Sequence, residues 1–442
     1  MNILLQFLYE RMSEFPNSFI SDGYEKITYE ELVHFAESHY QYFSNKKYGI
    51  VCKGAINTIK AIFCCLFSNS TAVVMSDKYG QTHINKIIKK TQLSYLICDD
   101  GIKKIAIESE EKDDLTDVAF LMCTSGTTGE PKAAMITYHN ILCNIKDIEK
   151  YFKMNNSDTI LITRPLCHAS ALVGELFAAM ICGANIIINN KTFNPFVTNN
   201  ILHTEKITVF CATPTVCYQV ANIGSRNQER NNLRKIAISG ECLTRTVADK
   251  LLEVYQDTKL YNVYGLTEAS PRVSYLTPEL FRKKPESVGI PLNSVKVKII
   301  DNELYVNGHN VMKGYYGDSE LTKRTLKDGW LKTGDIALRD SDGLLYIKGR
   351  KDDLIIRAGI NIYPQEIENA LLQDRRIKNV VAYRIKDSLY GDKIGLKVVA
   401  ESLTEEKIFS ICKRLLPNYQ IPDVIACVDN LPQNESGKAL RK

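Results

Sequence analysis

The segment Phe120–Lys132 reads FLMCTSGTTGEPK, an apolar strand-like run that ends in small residues and then Pro131 and Lys132. Small residues let a backbone fold tightly round an anion with its N–H groups turned inward. The hydroxyls of Thr124, Ser125, Thr127 and Thr128 add donors, Gly126 and Gly129 add turning freedom, and Lys132 adds a point charge. The chemistry such a loop can do is to hold phosphates. It is not a Walker loop, which needs Lys directly after its second glycine and then Ser or Thr. Here Glu130-Pro131 intervenes and Ala133 follows the lysine. In isolation the same residues also make a plain polar surface turn.

Other segments extend the pattern. TSGTTGEPK is similar to the phosphate-loop signature of the adenylate-forming superfamily: acyl- and aryl-CoA synthetases, luciferases and the adenylation domains of peptide synthetases. Ser239-Gly240-Glu241 resembles that family's adenine-side loop, and NVYGLTE (Asn262–Glu268) its nucleotide-and-magnesium motif. GWLKTGD (Gly329–Asp335), GRKDDLIIRAGINIYPQEIE (Gly349–Glu368) and LPQNESGK (Leu431–Lys438) follow in the family's order. One such motif is weak; the ordered set spans most of the chain.

The resemblance implies two half-reactions. A carboxylate attacks the α-phosphorus of ATP, giving acyl-AMP and pyrophosphate, and a thiol then takes the acyl group. An anion must approach a polyanion while charge builds on the leaving pyrophosphate, so cations and N–H donors must face the phosphates. The resemblance assigns Thr124–Lys132 to the β- and γ-phosphates and Thr267 to the α-phosphate. Glu268 becomes the expected Mg²⁺ ligand, because a hard cation prefers carboxylate oxygen beside phosphates. The ring of Tyr264 suits stacking on adenine, with Gly240, Glu241, Asn262 and Gly265 around it.

Asp335 is expected to accept from the ribose hydroxyls and Arg350 to donate from the other side; a surface turn with a salt-bridged arginine is the plainer alternative. Lys438 matches the family's catalytic lysine, carried on a mobile C-terminal domain and reaching between the carboxylate and the α-phosphate. Asp352 matches the hinge position, and Gly359 the thiol-entry path in a second pose. Such rotations depend on a few backbone dihedrals.

The acid is narrowed by Arg164–Phe177, RPLCHASALVGELF. Where family domains for α-amino acids carry an Asp, this chain has His168, which cannot serve as counter-ion to an ammonium group. That favours a non-amino acid, although Gly240-Glu241 and Asn262-x-Tyr264-Gly265 resemble the amino-acid branch, and His168 can equally be a core-edge histidine. Expected walls are His168–Gly174, Phe210–Val216, Ser239–Gly240 and Tyr264–Arg272, small and apolar enough for an aromatic or short-to-medium aliphatic acid. Arg272 reads either as a contact to a second polar group on the substrate or as a structural ion pair. CoA is the favoured acceptor. The alternative is an adenylation enzyme loading an amino or aryl acid onto a phosphopantetheinylated carrier protein. A degenerate nucleotide-binding descendant is disfavoured because Lys132, Glu268, Asp335, Arg350 and Lys438 stand in one chain.

These residues need a scaffold. Short β-branched runs at Ala72–Met75, Ser94–Cys98, Thr159–Thr163, Asn185–Ile188 and Lys235–Ser239 alternate with amphipathic stretches such as Tyr79–Thr91 and Thr244–Tyr255. That predicts a layered α/β body with a largely parallel sheet. From Val295 strands joined by turns at Asp301-Asn302 and Asp342-Gly343 predict a β-rich subdomain, and the remainder a small mobile α+β domain. The expected boundaries are 1–348 for the body, 349–352 for the hinge and 353–442 for the lid. Elements are expected to be sparse before Thr124.

Composition sets outer limits. Of 442 residues 45% are hydrophobic and 24% charged, and the formal net charge is +5, which argues against a disordered chain and against a dominant basic field for nucleic acid. The most apolar internal run, AIFCCLF, is far shorter than the ~20 residues of a membrane span. The N-terminus lacks a basic region before a continuous apolar one, so no signal peptide and no membrane insertion are expected. The 13 cysteines contain no C-x-x-C and read as reduced, mostly buried small hydrophobes, consistent with a cytoplasmic enzyme.

Overall fold

The structure, a computed structural model, describes the chain apart from residues 44–45, 106–112, 126–129, 228–231, 358–359, 375, 387–391 and 432–442. Among the described residues two large sheets dominate. The first has nine strands, and its middle is parallel: Lys259–Gly265, Lys235–Ile238, Val209–Ala212, Thr159–Ile162, Asn185–Ile188 and Phe19–Ser21 lie side by side in that order. The second has seven strands, with Val118–Ser125 and Pro131–Thr137 as an antiparallel hairpin beside Thr71–Val74.

Alternation along the strands explains the layering. Ile160 and Ile162 enter one large core shared with Tyr48, Ala72 and Phe120 of the second sheet, while Leu161 between them enters another. A strand buried on both faces has to be apolar throughout, as TILI and NIII are. The helix Tyr138–Phe152 starts at a capping box between Thr137 and Asn140 and adds Ile141, Ile145 and Ile148 to the shared core.

From Val295 the strands Val295–Ile300, Glu303–Gly308, Trp330–Arg339 and Leu345–Arg350 form an antiparallel sheet. Asp301 and Asn302 join its first pair with φ of 50° and 62°, the left-handed pair that a tight hairpin needs. The last part has an apolar core of its own, running from Ile355 to Leu416.

One expectation fails. The region before Thr124 is well filled, with four helices and six strands among its described residues. Thr71–Val74, Tyr95–Cys98 and the helix Gln81–Thr91 match segments read from the sequence, while other strands there escape pattern reading because they are short and interrupted. Lys47–Ile50 contains a buried lysine, whose Nζ donates to the Tyr316 hydroxyl at 2.6 Å, and Gly49, where an added Cβ would lie 2.6 Å from Leu93. All 13 cysteines are free, and most are buried.

Candidate active site

Parallel strands end along one edge, and ligands in open α/β sheets bind beyond such carboxyl ends. Ser239-Gly240-Glu241 follows the strand Lys235–Ile238, and Gly240 turns the chain with φ of 97°. Tyr264 and Gly265 close the strand Lys259–Gly265. Gly265 must be glycine: an added Cβ would lie 1.6 Å from the Pro271 carbonyl oxygen. Asp335 and Arg350 arrive from the β-rich subdomain as cross-strand partners.

Gly240, Glu241, Tyr264, Gly265, Asp335 and Arg350 line one cleft of about 330 Å³, which Tyr363, Gln365 and Glu368 line from the C-terminal part. That volume is at the small end of the ~300–1,000 Å³ typical of ligand pockets.

Asp335 is the hub of the cleft. It accepts from the Tyr264 hydroxyl at 2.5 Å and from Arg350 Nη1 at 3.2 Å, and Arg350 Nη1 also donates to the Thr333 carbonyl at 3.1 Å. Burial, together with the Asp335 carboxylate, pushes the Tyr264 phenol well above its usual range. Burial works against the Arg350 charge, but Asp335, Tyr264 and Glu268 more than offset it and hold the guanidinium protonated. The phenol therefore stays neutral and donates, and the carboxylate accepts from both sides.

Glu268 lies in the short turn Thr267–Ala269. The Tyr315 hydroxyl donates to its Oε1 at 2.8 Å, and burial, then Glu268 itself, raises the Tyr315 phenol. The Met312 N–H fixes the turn by donating to the Glu268 carbonyl at 2.9 Å. Glu241 accepts from the Thr215 hydroxyl at 2.9 Å. Thr124 and Lys132 face each other across the hairpin stem, as do Ser125 and Pro131 along the backbone.

Gly126, Thr127, Thr128, Gly129, Gly359 and Lys438 lie outside the described residues. Asn262 is drawn away from the cleft. It is 2% exposed, and its amide donates to the Pro285 carbonyl at 3.0 Å and the Ser287 carbonyl at 2.9 Å. It braces the loop behind the strand: although it shares strand parity with Tyr264, its amide is taken up by these two carbonyls. Asp352 is exposed in the turn Lys351–Asp353, where Lys351 Nζ donates to Glu303 at 2.8 Å.

His168 does not line the nucleotide cleft. It precedes the turn Ala169–Ala171, and burial, then the nearby Arg164 charge, lowers its pKa to about 4, so the ring is neutral near pH 7. Beside it lies a group that sequence reasoning missed. Arg164 donates to Ser239 Oγ at 3.0 Å and to Glu175 Oε1 at 2.5 Å. Glu175 is 0% exposed, within the π-helical turn Leu172–Phe177. The available signal was a lone carboxylate in the apolar run ALVGELFAAMI, since a charge in such a run needs a buried partner. Tyr315 gave no comparable signal.

Residues 9–316 match the family profile described as AMP-binding enzyme, and residues 366–438 match the one described as AMP-binding enzyme C-terminal domain. A long-chain-fatty-acid–CoA ligase of Escherichia coli O6:H1 is 32% identical over 344 residues, which cover 74% of this chain and 61% of the ligase. The chain thus spans less than two thirds of that relative's length. A 2-succinylbenzoate–CoA ligase of Bacillus velezensis is 29% identical, with 94% of this chain and 92% of the ligase covered. The solved structure of an o-succinylbenzoate CoA synthetase from Bacillus subtilis, in complex with its acyl-adenylate intermediate, aligns with a TM-score of 0.86. It covers 98% of this chain and 96% of that one at 24% identity, which shows a shared fold.

Proposed function

The chain belongs to the AMP-binding enzyme family, and on that premise we propose that it joins a carboxylic acid to a thiol at the expense of ATP. In the first half-reaction a carboxylate oxygen of the acid bonds to the α-phosphorus as the bond to pyrophosphate breaks. In the second, a thiol sulfur bonds to the acyl carbon and AMP leaves. The observation that carries this reading is the cleft in which Gly240, Glu241, Tyr264, Asp335 and Arg350, far apart in sequence, converge.

Tyr264 would stack on the adenine. Asp335, held from two sides, would accept from the ribose hydroxyls with no further reorganisation. Thr124 and Lys132, at the head of the hairpin, would meet the phosphates through the loop between them. The Glu268 carboxylate suits Mg²⁺, because Tyr315 engages Oε1 and leaves a hard oxygen for the cation. Bound there, Mg²⁺ would neutralise charge on the departing pyrophosphate. Lys438 would bring its positive charge to the attacked phosphorus.

Residues 1–348 would form the body, 349–352 the hinge and 353–442 the lid. A C-terminal core that begins at Ile355 supports this division. Two named relatives and one solved neighbour are CoA ligases, which favours CoA over a carrier-protein arm. A neutral His168 offers an ammonium group no counter-ion, so the acid is of the non-amino kind. Among the described residues no helix is long and apolar enough to cross a membrane. The test is ATP–pyrophosphate exchange across an acid panel. Acid-dependent exchange, with AMP formed once CoA is added, is expected; ADP and phosphate as products would overturn the reading.

A further inference from the structure

Behind the wall of the cleft proposed for the nucleotide lies a buried cation that no ion pair among the described residues satisfies. Arg272 opens the strand Arg272–Leu276 and is the cross-strand partner of Gly265, which lines the cleft. Its backbone cannot drift. The Arg272 N–H donates to Asn144 Oδ1 at 3.2 Å, and its carbonyl accepts from Asn144 Nδ2 at 2.8 Å and Asn310 Nδ2 at 3.0 Å. Both asparagines are 0% exposed.

The Arg272 side chain is carried inward, and the residue is 3% exposed. Its guanidinium lies against Gly174, where an added Cβ would stand 3.2 Å from Nη2 and 3.3 Å from Cζ and Nε. Gly174 belongs to the same π-helical turn, Leu172–Phe177, as Glu175. Such turns break the regular helical register and often mark functional sites.

Arg272 has no anion to meet. Its Nε lacks a hydrogen-bond partner, and among the described residues no carboxylate forms an ion pair with it. The nearest candidate, Glu175, gives Oε1 to Arg164, while its Oε2 has no partner. A partly buried guanidinium, Arg164, and a buried one, Arg272, thus share one buried carboxylate. Burial raises the Glu175 pKa despite the pull of Arg164 and Arg272, and protonation there would only enlarge the positive excess. His168 is neutral and supplies no charge of either sign. A structural ion pair would not leave the cation open, and an uncompensated buried guanidinium is costly to keep.

We propose that the acid activated by this protein carries a second carboxylate, and that Arg272 reads it. The inference rests on the acid-activating reading above. A guanidinium offers a planar fork that matches a carboxylate with two parallel hydrogen bonds. The distal carboxylate of a dicarboxylic acid would cancel the excess charge as its other carboxylate faces the α-phosphorus. A monocarboxylic acid of equal length would leave the arginine buried and unpaired.

Exchange assays on the full chain would use acids paired by length: butanoate with succinate, pentanoate with glutarate, hexanoate with adipate, and benzoate with terephthalate. In the best-fitting pair the diacid should exceed its partner by at least ~10²-fold in kcat/KM, the scale on which a polar site rejects an analogue lacking the matching group. Arg272→Met should abolish that preference chiefly through KM for the diacid, and Arg272→Lys should restore part of it. If Arg272→Met does not fold, the wild-type ratio decides by itself. Monoacids used as well as diacids in every pair would overturn the inference alone. No exchange with any acid would overturn the proposed activity, and the inference with it.

Discussion

Two sides of the proposed active region, one read above as meeting the nucleotide and the other as meeting the acid, treat charge in opposite ways. On the nucleotide side Asp335 is held between Tyr264 and Arg350, Glu268 is engaged by Tyr315, and Glu241 by Thr215. On the acid side Arg272 stands without an anion, and Glu175 Oε2 and Arg164 Nε are unpartnered. Asp335 and Arg272 are both buried, at 7% and 3% exposed, so burial alone does not set the contrast between them. Groups that meet the same nucleotide in every turnover gain from being fixed beforehand, because a fixed dipole costs nothing to reorganise as the reaction proceeds. A group that discriminates between acids works the other way. It must be satisfied by the right substrate and by nothing else.

The contrast can be broken most severely at its hub. Asp335→Ala removes the acceptor for Tyr264 and the ion-pair partner of Arg350, leaving the phenol without its acceptor and the guanidinium without its carboxylate. Loss of one partner from such a pair is severe, so kcat/KM for ATP in the exchange assay should fall by about 10³-fold. A fall below tenfold would mean that the ribose is held elsewhere.

Lys438→Ala tests whether the fixed nucleotide side suffices without the lid. Exchange should fall by at least ~10²-fold, while thioester formation from supplied acyl-AMP should fall much less. Equal losses in both half-reactions would count against a lid that changes pose. Asp352→Pro should lock one pose, and survival of both half-reactions would remove the hinge assignment.

His168 sharpens the contrast through pH. Its pKa is about 4 in the folded protein against 6.5 for the free side chain, so between those values the unfolded chain binds the extra proton. Stability should therefore decline as pH falls from 6.5 towards 4, by roughly 2 kcal/mol after allowance for partial solvent contact. His168→Asn should remove that part of the slope in urea midpoints measured across the window. An unchanged slope would place the titration elsewhere. The smallest effect is expected from Tyr315→Phe, which removes one donor to Glu268 and should alter KM for Mg²⁺–ATP about fivefold. No change would mean that the Glu268 carboxylate is oriented without it.

Much of the cleft's lining was legible in the sequence because the motifs place backbone turns and side-chain types within a few residues of one another. Gly240, Tyr264, Gly265, Asp335 and Arg350 do converge on one cleft. Asn262 did not follow: strand alternation puts it on the same face as Tyr264, but its amide is taken up by the Pro285 and Ser287 carbonyls of a loop more than twenty positions on. The filled region before Thr124 was read only in part. A four-residue strand with a buried lysine and a glycine forced by Leu93 has no pattern to read.

The sequence alone determined the local matters: strands and helices where apolar spacing is clear, the hairpin turn at Asp301-Asn302, the small-residue loop after Phe120 and the kinds of donor available. The tertiary structure alone decided which of the charged residues are paired. Tyr264 finds Asp335 across 71 positions, and Tyr315 finds Glu268 across 47. Arg164 finds Glu175 within 11 positions, while Arg272, which begins a strand behind the same cleft, finds no carboxylate. Spacing fixes which face of an element a side chain leaves. Whether an opposite charge waits there depends on elements that only packing brings together.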